Sequence, residues 1–391
     1  MTPSLSSLRQ SAEPTEPIAF MPGVRGQDPI AQHWLAQVTL RLRREVCWLW
    51  RERGLQGAAE AAPVPAPVDR ALAALDLVRY ERDKRGFFAE DVTARYLSER
   101  IAAPAPLTGP TTRGSFGWVA HELRLEPVER FVLAMALLPS IDSAAGPVIA
   151  SCLNEPARTR PTLALAQRLW DAPDDLLRCF DSAHPLLRYG LLAFTPGSGW
   201  NEWHAALEVP PLVARELLFS GTELPSALEP VMPASLQAHS AIAAVGSLRV
   251  AATGAAKLDG TRGRHVVPVL GAVDAPLAEF AAACAQQAGM ATVQPNPALP
   301  REHLAQALTA AWLRGHAVYL SASTLGDLHA PHAGPEASLP LPGLPLALFI
   351  GMQDRSLLPR LGATAPPLPV PPLGYAERLA CWREALPGGS A

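Results

Sequence analysis

The sequence predicts an α + α/β protein: a helical front half followed by a three-layer α/β domain on a short parallel sheet. Three observations predict it. Trp34, Leu35, Val38, Leu42, Val46 and Leu49 recur at three- and four-residue spacing, the period of a helix with one buried face. Past Pro233, β-branched runs such as 265–273 (HVVPVLGAV) and 316–323 (HAVYLSAS) alternate with alanine-rich stretches. That is the rhythm of parallel strands joined by crossover helices. Proline-rich breaks at 58–67 and 104–110 separate the early units.

Composition sets the limits. A chain of 391 residues allows two or three domains. Apolar residues at 49% and a mean hydropathy of +0.11 give each a core in a water-soluble protein. Net charge −3 and pI 6.4 offer no general attraction to nucleic acid or anionic membrane. Cys47, Cys152, Cys179, Cys284 and Cys381 form no CxxC pair, which favours reduced thiols over structural zinc or a disulfide framework. The first twenty residues lack a basic start followed by an apolar run, so no signal peptide is expected. The longest apolar runs are too short to span a bilayer. A cytoplasmic protein is expected by elimination.

Residues 1–28 are polar and predicted to be a disordered arm. Residues 29–110 are predicted as a helical segment with proline-rich linkers. Its first helix runs from Pro29 to near Gly54, with Arg41, Arg43, Arg44, Glu45, Arg51, Glu52 and Arg53 on a solvated face. A second helix starts near Asp69 with Leu72, Leu75 and Val78 inward, and a third covers about 89–101. Residues 111–235 read as a compact helical unit. Pro127 suits a first helical turn and opens a nearly all-apolar helix through FVLAMALLPSID. Further helices are predicted at 144–153, 162–169, 174–180 and 184–192. The stretch 207–221 (LEVPPLVARELLFSG) reads as a short strand and then a helix. Helices followed by a strand-like wing make this unit winged-helix-like. Residues 236–386 supply strands at 265–273, 290–293, 316–323 and 344–352, with helices at 275–288 and 301–314 between them. Residues 363–374 are extended by proline geometry, 375–386 form a closing helix and 387–391 a tail.

The order of these features resembles a known family. Pro139, Ser140, Ile141 and Asp142, then Arg158, Thr159, Arg160, Pro161 and Thr162, then Leu186, Leu187, Leu191 and Leu192 are the residues that carry the likeness. With Trp34, the run Arg43, Arg44 and Glu45, and the run Trp48, Leu49 and Trp50, they resemble the amino-terminal region of bacterial AAA-family ATPases. The type is the one with a winged-helix-like region that is associated with contractile injection systems. The likeness spans residues 30–386. It implies that the second half is the degenerate AAA-like, P-loop-related module preceding the working ATPase module in that family.

ATP hydrolysis on such a fold needs amides that cradle phosphate, a lysine for the β/γ phosphates, and a hydroxyl for Mg²⁺. The turn after the first strand reads Gly271, Ala272, Val273, Asp274, Ala275, Pro276 and Leu277. Only Gly271 fits. Asp274 repels a polyanion, Pro276 removes an amide, and no Lys-Ser/Thr follows. The only lysines are Lys84 and Lys257, the latter before the strand. The strand at 316–323 ends in Ser321, Ser323 and Thr324 with no carboxylate before Asp327. Neither cofactor nor metal is therefore expected.

Other candidates have plainer readings. Asp354 and Arg355 could mimic a sensor position but fit a loop ion pair better. Arg262, Arg264 and His265 form a basic cluster, and His316, His329 and His332 lack ligand partners at metal spacing. Ser321 and Ser323 lack a hydrolase elbow. Trp200 and Trp203, after a Gly/Pro turn, with Arg43 and Arg44, are the candidate partner contacts. The expected function is a non-hydrolysing adaptor or regulatory part of an AAA-family system. Its partners would be proteins, an AAA ATPase module or an injection-system component, with no membrane. Two alternatives stay open: a truncated or split ATPase whose catalytic module lies on another chain, and a winged-helix nucleic-acid binder.

Overall fold

The computed structural model describes residues 28–57, 77–106, 112–181, 183–195, 203–219, 221, 223–233, 265–273, 275–321, 323–324, 341–360, 364–370, 375 and 379. The expected arm before Asp28, the linker at 58–67, the helix start near Asp69 and most of the closing helix lie outside them.

Helix α1 (Pro29–Gly57) is the axis of the front half. Asp28 starts it: Oδ1 accepts the Ala31 amide at 3.0 Å while Oδ2 accepts the Gly117 amide at 2.9 Å. One buried carboxylate thus caps two helices 89 residues apart. The polar face of α1 is solvated only in part: Arg43 and Arg51 are exposed as expected, but much of the rest is covered. Helices α2 (Leu77–Glu90) and α3 (Val92–Ile101) fold back across it, and Arg41, Arg44 and Glu45 are buried. Glu45, 1% exposed, receives Lys84 Nζ at 2.6 Å and Arg168 Nη2 at 2.8 Å. Arg41 and Arg44 clamp Asp171 at 2.8 and 2.7 Å. Their guanidinium groups also lie over aromatic rings, Arg41 over Trp170 and Arg44 over Phe88. Charge-assisted bonds offset the desolvation that such burial requires.

Helix α2 turns Tyr80, Lys84, Phe87 and Phe88 toward α1 and leaves Val78 exposed, contrary to the inward position expected. Asp91 divides the helix expected over 89–101, because its side chain accepts the Ala94 amide and caps α3. Helix α4 (Phe116–Glu122) is capped by Ser115, and α5 (Pro127–Leu137) begins at the expected proline and is buried along almost its whole length, apolar after Arg130. Then follow α6 (Ala145–Leu153), α7 (Leu163–Leu169) and the short α8 (Pro185–Arg188). Helix α8 stops well before Leu192, because Gly190 takes φ +66° and turns the chain into β1 (Ala193–Phe194). Strand β1 pairs antiparallel with β2 (Leu207–Glu208), and Thr162 bridges to Ala206. Helix α9 (Pro211–Leu218) closes the half.

The second half is a six-stranded sheet ordered β3-β5-β6-β7-β4-β8. Its strands are β3 (Leu228–Val231), β4 (His265–Leu270), β5 (Thr292–Pro295), β6 (Ala317–Leu320), β7 (Ala347–Met352) and β8 (Leu368–Pro369). Five run parallel, and β3 pairs antiparallel with β5 at one edge. So the sheet is mostly rather than wholly parallel. Edge strand β3 carries Pro230, which hides it from a strand search, and it precedes the expected boundary at 235/236. The extended proline segment contributes β8 as the opposite edge.

Right-handed crossovers fix the layers. The chain leaves β4 for β5 and returns to β6 in the reverse direction, so its helices must fall on opposite faces. Helix α10 (Leu277–Gln287) packs Phe280, Ala281, Cys284 and Ala285 against Val267, Val269 and Phe349. Helix α11 (Leu304–Arg314) covers the other face, where Val266, Val318, Leu348 and Ile350 point. Those strand residues alternate between faces with period two.

Helix α11 also joins the halves. One continuous core runs from Ile30 in α1 to Met352 in β7. Trp312 stacks against Trp118 and Tyr189, with ring centroids 5.3 and 5.7 Å away. Arg314 holds Glu216 of α9 through two bonds of 2.8 and 2.9 Å. Buried Thr309 Oγ1 lies 2.9 Å from the Tyr189 carbonyl. Among the described residues, no helix is long and apolar enough to cross a membrane.

Candidate functional site

In an open α/β sheet, a ligand crevice opens at the carboxyl ends of neighbouring strands whose following segments depart in opposite directions. Strands β4 and β7 meet that condition. From β4 the chain goes to the β5 side of the sheet; from β7 it passes β4 to reach β8. The Gly271 turn, expected from the sequence to be a degenerate phosphate-loop position, follows β4 and therefore stands at the crevice.

The space beside Gly271 is apolar and crowded. A Cβ added at Gly271 would meet Leu277 Cδ2 at 2.6 Å, Ala275 Cβ at 2.9 Å and Val370 Cβ at 3.3 Å. Glycine is required here by side chains of the protein itself crowding the turn. Three of the amides are engaged as well. Gly271 N donates to the Met352 carbonyl at 3.2 Å, Ala275 N to Ala272 at 3.1 Å and Leu277 N to Ala275 at 2.8 Å. Pro276 has no amide proton, and Glu279 puts a carboxylate in the first turn of α10, where it complements the helix dipole. Asp274 lies outside the described residues.

The neighbouring strand ends are similarly self-satisfied. Ser321 Oγ lies 2.7 Å from Ser323 Oγ and 2.9 Å from Thr324 Oγ1. Asp354 accepts the Ser356 amide at 2.9 Å and the Ser356 hydroxyl at 2.6 Å, which caps the 3₁₀ turn Arg355–Arg360. Tyr319 lies over Gly351, where an added Cβ would collide with its hydroxyl. Burial, reinforced by the Glu279 carboxylate, pushes the Tyr319 phenol up to about 12. It stays protonated at neutral pH and supplies no base.

The histidines lie at the other end of the sheet. His265 opens β4 and His316 precedes β6. Burial lowers the pKa of both, with Arg314 and Arg113 adding to the effect at His316. Among the described residues, no group of three metal-ligating side chains occurs. His329, His332, Arg262, Arg264, Lys257 and Asp327 lie outside them.

The partner-contact candidates separate. Arg43 is exposed on α1. Arg44 is buried and clamps Asp171, so it braces the interior rather than facing a partner. Trp203 is half-buried against the core, and its carbonyl accepts the Ala164 amide at 3.1 Å. Trp200 lies outside the described residues. A cleft on the front half brings residues 139–142 and 159–160 together with Glu208 and Val209. The first two stretches are among those that carry the family resemblance, and the last two residues lie in the stretch 207–221, which the sequence marks as a short strand and helix.

Compared with known families, curated proteins and solved structures, the chain matches none.

Proposed function

We propose that this chain is a non-hydrolysing adaptor or regulatory subunit that works by protein–protein contact in a cytoplasmic AAA-type ATPase system. The type meant is the one associated with contractile injection. A sheet whose first-strand turn stands at the switch point is the framework of P-loop folds. The observation that carries the proposal is the turn itself: Leu277, Ala275 and Val370 crowd Gly271 so closely that not even a methyl group fits beside it. The front half supports a winged-helix-like reading. Helices α6, α7 and α8 lead into the β1–β2 ribbon, and residue 162 pairs on its far side.

Titration with Mg·ATP tests the proposal. No binding heat at millimolar nucleotide and no phosphate release are expected; micromolar binding with turnover overturns it. A second reading, half of a split ATPase, is favoured by the retained switch point. It requires turnover to appear when a lysine-bearing catalytic module is added. Nucleic-acid binding by the winged-helix-like unit would show as a mobility shift that weakens steeply with salt.

A further inference from the structure

A cleft of about 370 Å³ opens on the front half between the start of α6, the 3₁₀ turn Leu138–Ser140 and strand β2. Its floor is apolar: Leu207 and Val209 are buried. Pro139 and Pro147 form a wall. Gly146 narrows one end, because a Cβ there would stand only 3.2 Å from Thr159 Cβ.

The charged groups around this apolar trough are unequal. Asp142 and Glu208 bring two carboxylates against the single guanidinium of Arg160. Asp142 Oδ1 accepts the Ala144 amide at 2.8 Å, which fixes the carboxylate in place. Its Oδ2 has no partner among the described residues. Glu208 Oε2 pairs with Arg160, and Oε1 likewise has none. An exposed pair of this kind is worth little, so it adapts readily to a third charge. A long apolar stem fits the proline and leucine surfaces, with a cationic head among the carboxylates that line the cleft.

We propose that this cleft binds the arginine or lysine side chain of an extended segment in a partner protein. The hydroxyls of Ser140 and Ser143 on the rim are placed to bond the flanking peptide backbone. The inference rests on the adaptor reading only in making the partner a protein; nothing in the cleft involves the Gly271 turn.

The test uses the full chain and blocked pentapeptides with a central Arg, Lys or Glu in an alanine background, titrated calorimetrically beside putrescine. The Arg and Lys peptides are expected to bind, and to weaken about tenfold as salt rises from low to molar concentration. The Glu peptide is expected not to bind. Asp142→Asn keeps the Ala144 contact but removes the charge; it and Glu208→Gln should each weaken binding about tenfold. Ser140→Trp, an exposed rim substitution, should block entry without changing the melting temperature. Silence of both cationic peptides at millimolar concentration overturns the proposal. So does equal binding of the Glu peptide, or undiminished binding to the doubly neutralised protein. Putrescine binding as tightly as the peptides also overturns it, in favour of a free small cation. Nucleotide binding in the earlier titration would remove the adaptor reading and leave these results standing.

Discussion

The two halves of this molecule stabilise their interiors by different means. The front half buries Arg41, Arg44, Glu45 and Lys84 around α1. The α/β half buries only Thr292 and Thr309 among its described polar residues. Apolar packing tolerates repacking, whereas a buried charge demands its partner in one place. The front half thus gains a fixed helix arrangement from ion pairs that add little net stability. The sheet gains stability from interdigitated Val, Leu and Ile side chains.

The comparison breaks most sharply at Glu45. Glu45→Ala leaves Lys84 and Arg168 without their carboxylate and should cost about 3–5 kcal/mol in denaturant unfolding. Replacing Glu45, Lys84 and Arg168 together by Leu, Met and Met should recover most of that loss. If the triple variant is as unstable as the single one, the ionic account of the front half fails. Trp312→Ala should cost a similar amount, about 3–5 kcal/mol, through a cavity between the halves. It should also separate unfolding into two transitions seen by near-UV and far-UV dichroism.

Gly351→Ala should cost about 1–3 kcal/mol, because the added methyl drives Tyr319 from its place over β7. Acid sharpens the contrast further. Burial works against the ionised forms of Glu129 and Asp171. His184 and the Glu126 amide at the first, and Arg41 and Arg44 at the second, still hold both pKa values below the ordinary range. Their stabilisation is complete above the unfolded carboxylate range, about 4, and is lost as pH falls through and below it. Glu129→Gln with Asp171→Asn should therefore flatten the fall in stability between about pH 5 and 3. Smallest of all, Arg160→Ala at the exposed pair should change stability by less than about 1 kcal/mol.

Legibility in the sequence follows the same division. The continuous apolar runs that form β4, β6 and β7, and the long apolar stretch of α5, are visible because burial dominates each of them. The polar side of α1 is misleading: Arg41, Arg44 and Glu45 look solvated until the later residues Lys84, Arg168 and Asp171 supply their partners. Local pattern carries no trace of a partner 39 to 130 residues away. Strand β3 was hidden by its proline. Gly271 was legible as the critical turn, but its contact with Val370 depends on β8, an edge strand inside a stretch that reads only as extended.

Strand β4 has a consequence for biosynthesis. Its two neighbours, β7 and β8, begin about 80 and 100 residues further along the chain. On a ribosome adding 5–20 residues per second, roughly, the nascent HVVPVL segment emerges with no strand to pair with for several seconds. During that interval an apolar, unpaired strand is open to association with other chains.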